Sequence, residues 1–547
     1  MKRYLLMLGA MLLVPIGMPA AHQTVDFSPV YGSDHLPFTI RIEQVTAGAA
    51  ALPTLHSYIV AVWEGQWLFL GGRTNGLHGM TGMDGFPPAS ANTDLWVVDR
   101  AGQQSWRRSL HDAGLAPATV DFLSATNHNF VQEEHRLYVA GGYGYSRAAA
   151  DYVTYSDFAE IDVPGLIAWV KQSPGSPAPA ESVHTIQSPL FQVTGGALEK
   201  SGDQFLLIFG QNYPGRYRPN FNGTYTRQVR RFSLLGRGPA LALDPAGVYQ
   251  SPPADDFRRR DLNVLPVLRR DHGSGALLDE FLALAGVFTP TTGVWTVPVT
   301  ITATGVPSQP DPLAAATFKQ GLHHYHSAKT SLFNRVTGEN FILQFGGLSA
   351  QFQDALTDAW VSDPQVPFVQ HLSCVIRSDA GQFHQTLLPS EFPDLRSAAG
   401  ARLYFGTNAE FLPASGVPLL RPKIIDLTGL DRPQVIGHIY GGLVSDAPNN
   451  GNTRAGGEIF AVILTPVPAP APELEITFTP PESVQLAWPL AAGARYLFEQ
   501  SPDLQSWSEL WPAPEASPLM ISTNGPPRSF YRLLQSVPTN PPTNPNP

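Results

Sequence analysis

The sequence predicts an all-β protein built from many short strands. The chain has 547 residues, of which 49 are glycine and 52 are proline. Only 15% of its residues are charged, against about 25% in typical soluble domains. Apolar runs are short, and turn-forming residues separate them, which favours strands over long helices.

The first residues predict export. Lys2 and Arg3 precede an apolar stretch over residues 4–18, and small residues follow at 19–21. The apolar stretch is shorter than the roughly 20 residues of a membrane-spanning helix. We expect residues 1–21 to be a signal peptide of a bacterial protein that is secreted, periplasmic or attached to the cell surface. No later segment is apolar enough to span a membrane, so no integral segment is expected after cleavage.

Charge and cysteine content narrow the possible partners and bonds. The net charge is −10 at pH 7, and no lysine- and arginine-rich cluster offers a surface for phosphates, so nucleic acid is not expected as a partner. Cys374 is the single cysteine of the chain, so no internal disulfide can form. It lies in an alternating apolar run, which predicts a small, half-buried side chain.

A repeat emerges when the apolar runs that end in glycine are aligned. The first glycine of each run, or its equivalent, stands at Gly71, Gly141, Gly210, Gly286, Gly346 and Gly441. A strand-like segment precedes each run, and further strands follow. Third strands are read at 93–99, 155–162 and 357–363, and fourth strands with tryptophan at 105–110 and 167–172. Four strands in each of six units predict a six-bladed β-propeller.

The last unit lacks a fourth strand of its own. Its strands are read at 407–413, 435–442 and 458–466, and the missing outer strand is predicted at 37–45. This N-terminal strand would complete the last sheet and leave no free edge. We therefore assign residues 26–466 to the propeller.

A second region follows the propeller. Residues 467–473 are rich in proline and are interpreted as a linker. Alternating apolar strands over 474–536 predict a small β-sandwich. Residues 537–547 are low in complexity, and we expect them to be a disordered tail.

The glycine pairs after apolar strands, and His326-Ser327-Ala328 before the fifth unit, resemble the kelch-repeat family. The phrases RTNGLH, QVTGGAL and RRDLN also resemble a group of exported bacterial kelch-like proteins without an established activity. Residues 474–536 resemble small immunoglobulin- or fibronectin-like sandwiches of exported bacterial proteins. These resemblances imply the propeller fold and export, and they leave function open.

Tyr325-His326-Ser327 is similar to a tripeptide that supplies two copper ligands in galactose oxidases, which also carry a kelch-like propeller. That family also needs a cysteine crosslinked to a tyrosine in an earlier unit, whereas Cys374 follows the motif. We therefore expect no copper-radical cofactor, and we predict no other cofactor and no bound metal. The alternative interpretation of His326 is a histidine that orders a turn.

Several loops carry side chains that suit a ligand. Guanidinium forks and amides bind hydroxyls and carboxylates, and aromatic rings pack against sugars. The candidate residues are Arg73, Asn75, His78, Tyr213, Arg216, Tyr217, Arg270, Tyr325 and His326. The alternative is that these groups satisfy their own loop backbones, or form Arg–Asp bridges between units.

Three functions stay open. The first is an exported, non-enzymatic protein that binds a glycan or another extracellular ligand, such as a protein, through loops of one propeller face. The second is a sugar-acting enzyme of the mutarotase or epimerase type, in which His326 would act with Arg73 or Arg270. The third is a structural or adhesion protein. We favour the binding protein.

Overall fold

The computed structural model describes residues 27–46, 48, 51–78, 85–101, 103–218, 221–284, 286, 289, 293–354, 357–449, 452–467, 474–479, 483–488, 490–491, 494–511, 517, 519–522 and 529–539. It contains 45% strand and 9% helix, which confirms the all-β class. The predicted signal peptide, most of the predicted linker and most of the predicted tail lie outside the described residues.

Four antiparallel sheets, each with strands in chain order, cover residues 59–308. Sheet 1 comprises Ile59–Trp63, Gln66–Leu70, Asp94–Asp99 and Gln104–Ser109. Sheet 2 comprises Asn129–Glu133, Arg136–Ala140, Asp157–Asp162 and Val183–Gln187. Sheet 3 comprises Ala197–Ser201, Gln204–Ile208, Val229–Phe232 and Tyr249–Gln250. Sheet 4 comprises Val264–Arg270, Leu277–Ala283, Val299–Thr302 and Pro307–Ser308.

Sheet 5 has the same antiparallel centre and carries additions at both edges. Its central strands are Ala328–Asn334, Glu339–Phe345, His371–Arg377 and Phe383–Glu391. Val30–Tyr31 runs parallel to the last of these strands. On the opposite edge, Ile424–Asp426 runs parallel to the first strand and forms a hairpin with Leu419–Arg421.

Sheet 6 joins the two ends of this region. It comprises Glu410–Pro413, Gln434–Tyr440 and Ile459–Pro466, with Phe38–Val45 as the fourth strand. The register pairs Phe38 with Pro466 and Val45 with Ile459. The outer strand predicted at 37–45 is therefore confirmed.

The connections between the second and third strands are long in all six sheets. In sheets 2, 3, 5 and 6 they form two-stranded ribbons: Tyr143–Ser146 with Asp151–Thr154, Gln211–Asn212 with Thr224–Tyr225, Gln351–Gln353 with Trp360–Ser362, and Leu443–Ser445 with Thr453–Ala455. Because neighbouring strands are antiparallel, each connection leaves its sheet at the end where the first strand begins. We call this the entry end. The turns between first and second strands lie at the opposite end.

Helices are short and lie between strands. The α-helices span Pro117–Leu123, Val163–Val170 and Pro179–Ser182, and 3-10 helices span Pro88–Ser90, Leu110–Asp112, Pro189–Phe191, Gly238–Ala240, Pro245–Gly247, Asp255–Phe257 and Leu427–Gly429. Among the described residues, no helix is long and apolar enough to cross a membrane.

Two predicted strands were wrong. Residues 167–172 belong largely to the helix Val163–Val170, because Asp162 caps it by accepting a hydrogen bond from the Gly165 N–H and Pro164 suits its first turn. Residues 357–363 contribute Trp360–Ser362 to a ribbon. The third strand of sheet 5 is instead His371–Arg377, which holds the fully buried Cys374.

One residue before the first strand of each sheet has the same backbone conformation. We call these six residues the entry series: Ser57, Asn127, Gly195, Asp261, His326 and Asn408. All six have a left-handed backbone, with φ between 44° and 64°. Backbone hydrogen bonds link these residues from sheet to sheet. Each N–H donates to the carbonyl of the residue before it in this order: His326, Asn408, Ser57, Asn127, Gly195 and Asp261.

The apolar cores lie between sheets. One buried cluster joins sheet 1 to sheet 2, and others join sheets 2 and 3, sheets 3 and 4, sheets 4 and 5, and sheets 5 and 6. A further cluster joins sheet 6 to sheet 1, where Tyr440 and Leu412 pack with Trp67 and Phe69. Each sheet is therefore covered on both faces, which explains why its strands are apolar almost throughout.

The C-terminal region contributes two three-stranded antiparallel sheets. One comprises Glu475–Thr479, Ser483–Ala487 and Leu519–Ser522, and the other comprises Ser508–Glu509, Arg495–Ser501 and Phe530–Ser536. They share a cluster that includes Leu486, Trp488 and Phe498. Arg335, in the first turn of sheet 5, donates to Asp426 at 3.0 Å, to Glu499 at 2.6 Å and to Glu509 at 3.1 Å.

We expect substitutions of Asn127 to depend on backbone conformation. A β-branched residue with φ near 52° is strained, so Asn127→Val should lower the free energy of unfolding by about 1–2 kcal/mol. Asn127→Gly should stay within about 0.5 kcal/mol of the wild type, because glycine accepts this conformation. Urea unfolding measures both values. Equal losses in the two variants would contradict a backbone origin.

We expect Arg335 to hold the C-terminal region in place. Its side chain is 12% exposed and pairs with three carboxylates. Arg335→Met should leave these carboxylates without a counter-charge, so protease should cleave the C-terminal region about tenfold faster or more. Limited proteolysis with mass spectrometry measures the rate. Arg396→Met, which breaks an exposed pair with Asp394, is the control and should change nothing. Unchanged cleavage of the Arg335 variant would refute this role.

Candidate functional site

The candidate site lies at the entry end of the sheets. The entry series and the long connections are both at this end, so side chains from different sheets meet there. Seven of the nine predicted site residues belong to these segments, and Tyr325 directly precedes His326; Arg270 lies elsewhere. The residues at the entry end form three neighbouring groups. The first is centred on Arg73, the second is a cluster of aromatic residues that includes Tyr213, and the third is centred on Asp261.

Arg73 is held by its own loop. It follows Gly72 at the end of the second strand of sheet 1 and is only 5% exposed. Its Nε donates to Oδ1 of Asn75 at 3.0 Å, and its Nη2 donates to the carbonyl of Pro87 at 3.0 Å. Phe86 lies against the guanidinium, 5.0 Å from the ring centroid. Burial lowers the pKa of Arg73 to about 10.

An aromatic cluster stands beside Arg73. Its residues are Phe86, Tyr143, Tyr145, Tyr152, Tyr213 and Tyr217. The ring of His78 lies 4.6 Å from that of Tyr217. Tyr213 is buried, and its hydroxyl accepts a hydrogen bond from the Arg218 N–H at 2.9 Å, which makes it a support of its loop. Arg216 is exposed, with its guanidinium 5.9 Å from the ring of Tyr152.

Asp261 is the centre of the third group. The hydroxyl of Tyr325 donates to its Oδ2 at 3.1 Å, and Nε of Arg260 lies 3.7 Å from the same oxygen. Burial, and then the Asp261 charge, raise the pKa of Tyr325 well above its usual value. Tyr325 therefore stays a hydroxyl donor at physiological pH. Tyr217 interacts electrostatically with Arg260 and Asp261, so it connects this group to the aromatic cluster.

His326 has a backbone role and a half-buried ring. Its left-handed conformation and the hydrogen bond from the Asn408 N–H, at 2.6 Å, fix the entry to sheet 5. This supports the interpretation of a turn-ordering histidine. Burial lowers the pKa of the ring to about 4, although the Asp261 charge acts in the opposite direction. The ring is thus neutral at pH 7.

The neighbouring histidines are buried. His324 is fully buried and its Nδ1 lies 2.6 Å from the carbonyl of Gly346, while the His323 N–H donates to Oγ of Ser349. In the part of the chain that the structure describes, no group of three or more His, Cys, Asp or Glu side chains is placed to hold a metal ion. Burial raises the pKa of the Cys374 thiol well above its usual value, so this side chain is not a reactive thiolate.

Arg270 was wrongly assigned to this face. Its Nη1 donates to Glu509 at 2.9 Å and its Nη2 donates to the carbonyl of Arg335 at 2.7 Å. Arg270 ends the first strand of sheet 4, and a strand of 7 residues extends for about 20 Å, so it lies far from the entry end.

Arg260 and Asp261 belong to the arginine-rich segment 257–272, which the sequence indicates as a possible anion-binding cluster, but only Arg270 was chosen from it as a site residue. Arg260 and Asp261 precede the strand Val264–Arg270, whereas Arg270 ends it. Their position in the sequence could have separated them from Arg270, because residues before a strand and residues after it lie at opposite ends of a sheet.

A cleft opens next to Arg73, between the connection of sheet 1 and the ribbon of sheet 2. Its volume is about 250 Å³. Arg73 and Phe86 line one wall, and Tyr143, Tyr145 and Tyr152 line another. The cleft thus shares four aromatic rings and one arginine with the groups described above.

No family model matches this chain, and no curated protein matches it. Among solved structures, the chain is similar to the structure of YjhT, with a TM-score of 0.40 and 10% sequence identity. That match covers 81% of this chain and 99% of the YjhT chain. Similarity at this level carries no argument about fold or function.

We expect stability to fall in acid because of the buried histidines. The pKa of His324 is lowered from 6.5 to about 3 by burial, so between these values the unfolded chain binds a proton that the folded chain does not. Above pH 6.5 such a histidine does not reduce the free energy of unfolding. Between pH 6.5 and the folded-state pKa, each histidine lowers the free energy of unfolding by about 1.4 kcal/mol per pH unit as the pH falls.

His324→Gln should therefore reduce the slope of unfolding free energy against pH by about 1.4 kcal/mol per unit between pH 6 and 4. Urea unfolding at several pH values measures the slope. His111→Gln, at an exposed position, is the control. A slope that is the same in the His324 variant and the wild type would contradict a neutral, buried His324.

Proposed function

We propose that residues 38–466 form a six-bladed β-propeller in which sheets 1 to 6 are the blades. The support is the cyclic order of the apolar clusters, which includes the contact of sheet 6 with sheet 1. The entry series adds to it, because its hydrogen bonds run from His326 through Asn408, Ser57, Asn127 and Gly195 to Asp261. In this arrangement the entry end is one face of the propeller.

We infer that the protein is an exported binding protein that recognises a glycan or another extracellular ligand at this face. The observation that carries the proposal is the meeting of Tyr217, Tyr325, Asp261 and Arg260, which come from loops of three different sheets. An aromatic ring beside a carboxylate, a guanidinium and a hydroxyl is a combination that suits the apolar face and the hydroxyls of a sugar. Export is inferred from the N-terminal segment alone.

Binding is favoured over catalysis by the position of the arginines. The enzyme hypothesis needs His326 as acid or base together with Arg73 or Arg270 as an anion clamp. Arg270 contacts Glu509 at the other end of its strand, and Arg73 donates to Asn75 and Pro87. The neutral ring of His326 instead stands beside Asp261. The enzyme hypothesis therefore loses Arg270 as its clamp.

We expect glycan binding to depend on the Asp261 group. On a glycan array the wild type should bind a subset of glycans, and Tyr217→Ala and Asp261→Asn should each weaken that binding about tenfold or more, because they remove a platform and a charged acceptor. Tyr249→Ala, in the fourth strand of sheet 3, is the control for loss of a partly exposed tyrosine. A wild type that binds no glycan on the array would shift the proposal to a structural or adhesion role.

A further inference from the structure

Arg73 is a buried cation for which the described part of the chain supplies no acidic partner. Among the described residues, none of the ion pairs involves Arg73, although the side chain is almost fully buried. Its neighbours are neutral, because Phe86, Tyr143 and Tyr152 surround it and burial keeps His56 uncharged, with a pKa of about 3. A buried charge without compensation is destabilising. A ligand is one source of the counter-charge that this buried guanidinium lacks among the described residues.

The guanidinium has capacity for such a partner. Nε and Nη2 are used by Asn75 and Pro87, whereas Nη1 makes no hydrogen bond to any of the described residues. These two bonds fix the plane of the group in advance. Arg73 lines the cleft of about 250 Å³ between sheets 1 and 2, so an anion in the cleft can reach it.

We propose that this cleft is a separate site for a small carboxylate ligand, with Arg73 as its anchor. This site does not rest on the Asp261 group or on the function proposed for it. The aromatic walls would hold the body of the ligand, and Arg73 would hold its carboxylate.

Charge and size define the ligand class. Arg147, the other arginine of the cleft, already donates to Asp121 at 2.7 Å, so one uncompensated positive charge remains. One positive charge neutralises a monoanion fully but leaves a dianion such as sulfate with a net negative charge in the cleft, next to the Asp121–Arg147 pair. The volume is below the roughly 300–1,000 Å³ of sites for drug-sized ligands, and the walls are aromatic. A monocarboxylate with one ring or a short apolar chain fits these limits.

The test titrates the full chain with sodium benzoate, and with benzyl alcohol as the uncharged analogue of similar size. Isothermal titration calorimetry or ligand-observed NMR should give a dissociation constant on the order of 1 mM for benzoate and much weaker binding of benzyl alcohol. Arg73→Gln should weaken benzoate binding about tenfold or more, because it removes a charge-assisted hydrogen bond.

Further variants separate this site from others. Thr93→Trp keeps Arg73 but fills the cleft from a lining position, so it should abolish binding even if the Arg73 variant does not fold. Arg216→Gln, which removes a nearby exposed arginine, and Asp261→Asn should leave benzoate binding unchanged.

Four outcomes would overturn the proposal: no saturable benzoate binding up to about 20 mM, equal binding by the folded Arg73→Gln variant, equal binding of benzyl alcohol, or benzoate binding that survives Thr93→Trp. Displacement of benzoate by phosphate at equal concentration would reject the carboxylate class, and loss of benzoate binding in Asp261→Asn would reject a separate site.

Discussion

The close backbone contact between consecutive sheets is the constraint on which the rest of the structure depends. At the end of the second strand, the N–H of Gly72, Gly142 or Gly442 donates to a carbonyl just before the first strand of the neighbouring sheet. The glycine before it leaves no space for a side chain: a Cβ on Gly141 would lie 1.9 Å from the carbonyl oxygen of Val193. Glycine is needed there for close approach as well as for its positive φ.

The two ends of the sheets differ in which segments of the chain they carry. At the entry end, the backbone contact between consecutive sheets brings the long connections of neighbouring sheets together, so that a ligand can touch loops far apart in the sequence. The opposite end is occupied by the chain itself. There the C-terminal region meets Arg270 and Arg335, and the hairpin with Leu419–Arg421 places Arg421 against Asp279 and Lys423 against Glu199. The ligand that we propose would therefore meet the protein at the entry end.

Much of the fold could be predicted because buried strands and glycines leave a strong local pattern. The glycine-ended runs located all six second strands, and counting strands located Phe38–Val45. Local pattern failed at residues 167–172 and 357–363, where an apolar run with tryptophan can serve in a helix or a ribbon as well as in a strand. The candidate site remains a prediction, but the placement of its residues can be compared. Residue type and loop position led to Arg73, Tyr217, Tyr325 and His326, which lie at the entry end of the sheets. Within the segment 257–272, Arg270 was chosen and Asp261 was not, because residue type alone does not separate the two ends of the strand Val264–Arg270.

The pairing of Phe38–Val45 with Ile459–Pro466 has a consequence for biogenesis. During synthesis the N-terminal strand emerges first and has no partner until more than four hundred further residues have followed. Contacts between such distant segments form slowly, and the waiting strand has the alternating apolar residues Phe38, Ile40 and Ile42 that promote association with other chains. The other face of the same strand carries charged residues, including Arg41 and Glu43, which oppose that association. Sheet 6 can thus be completed only after Ile459–Pro466 has been synthesised.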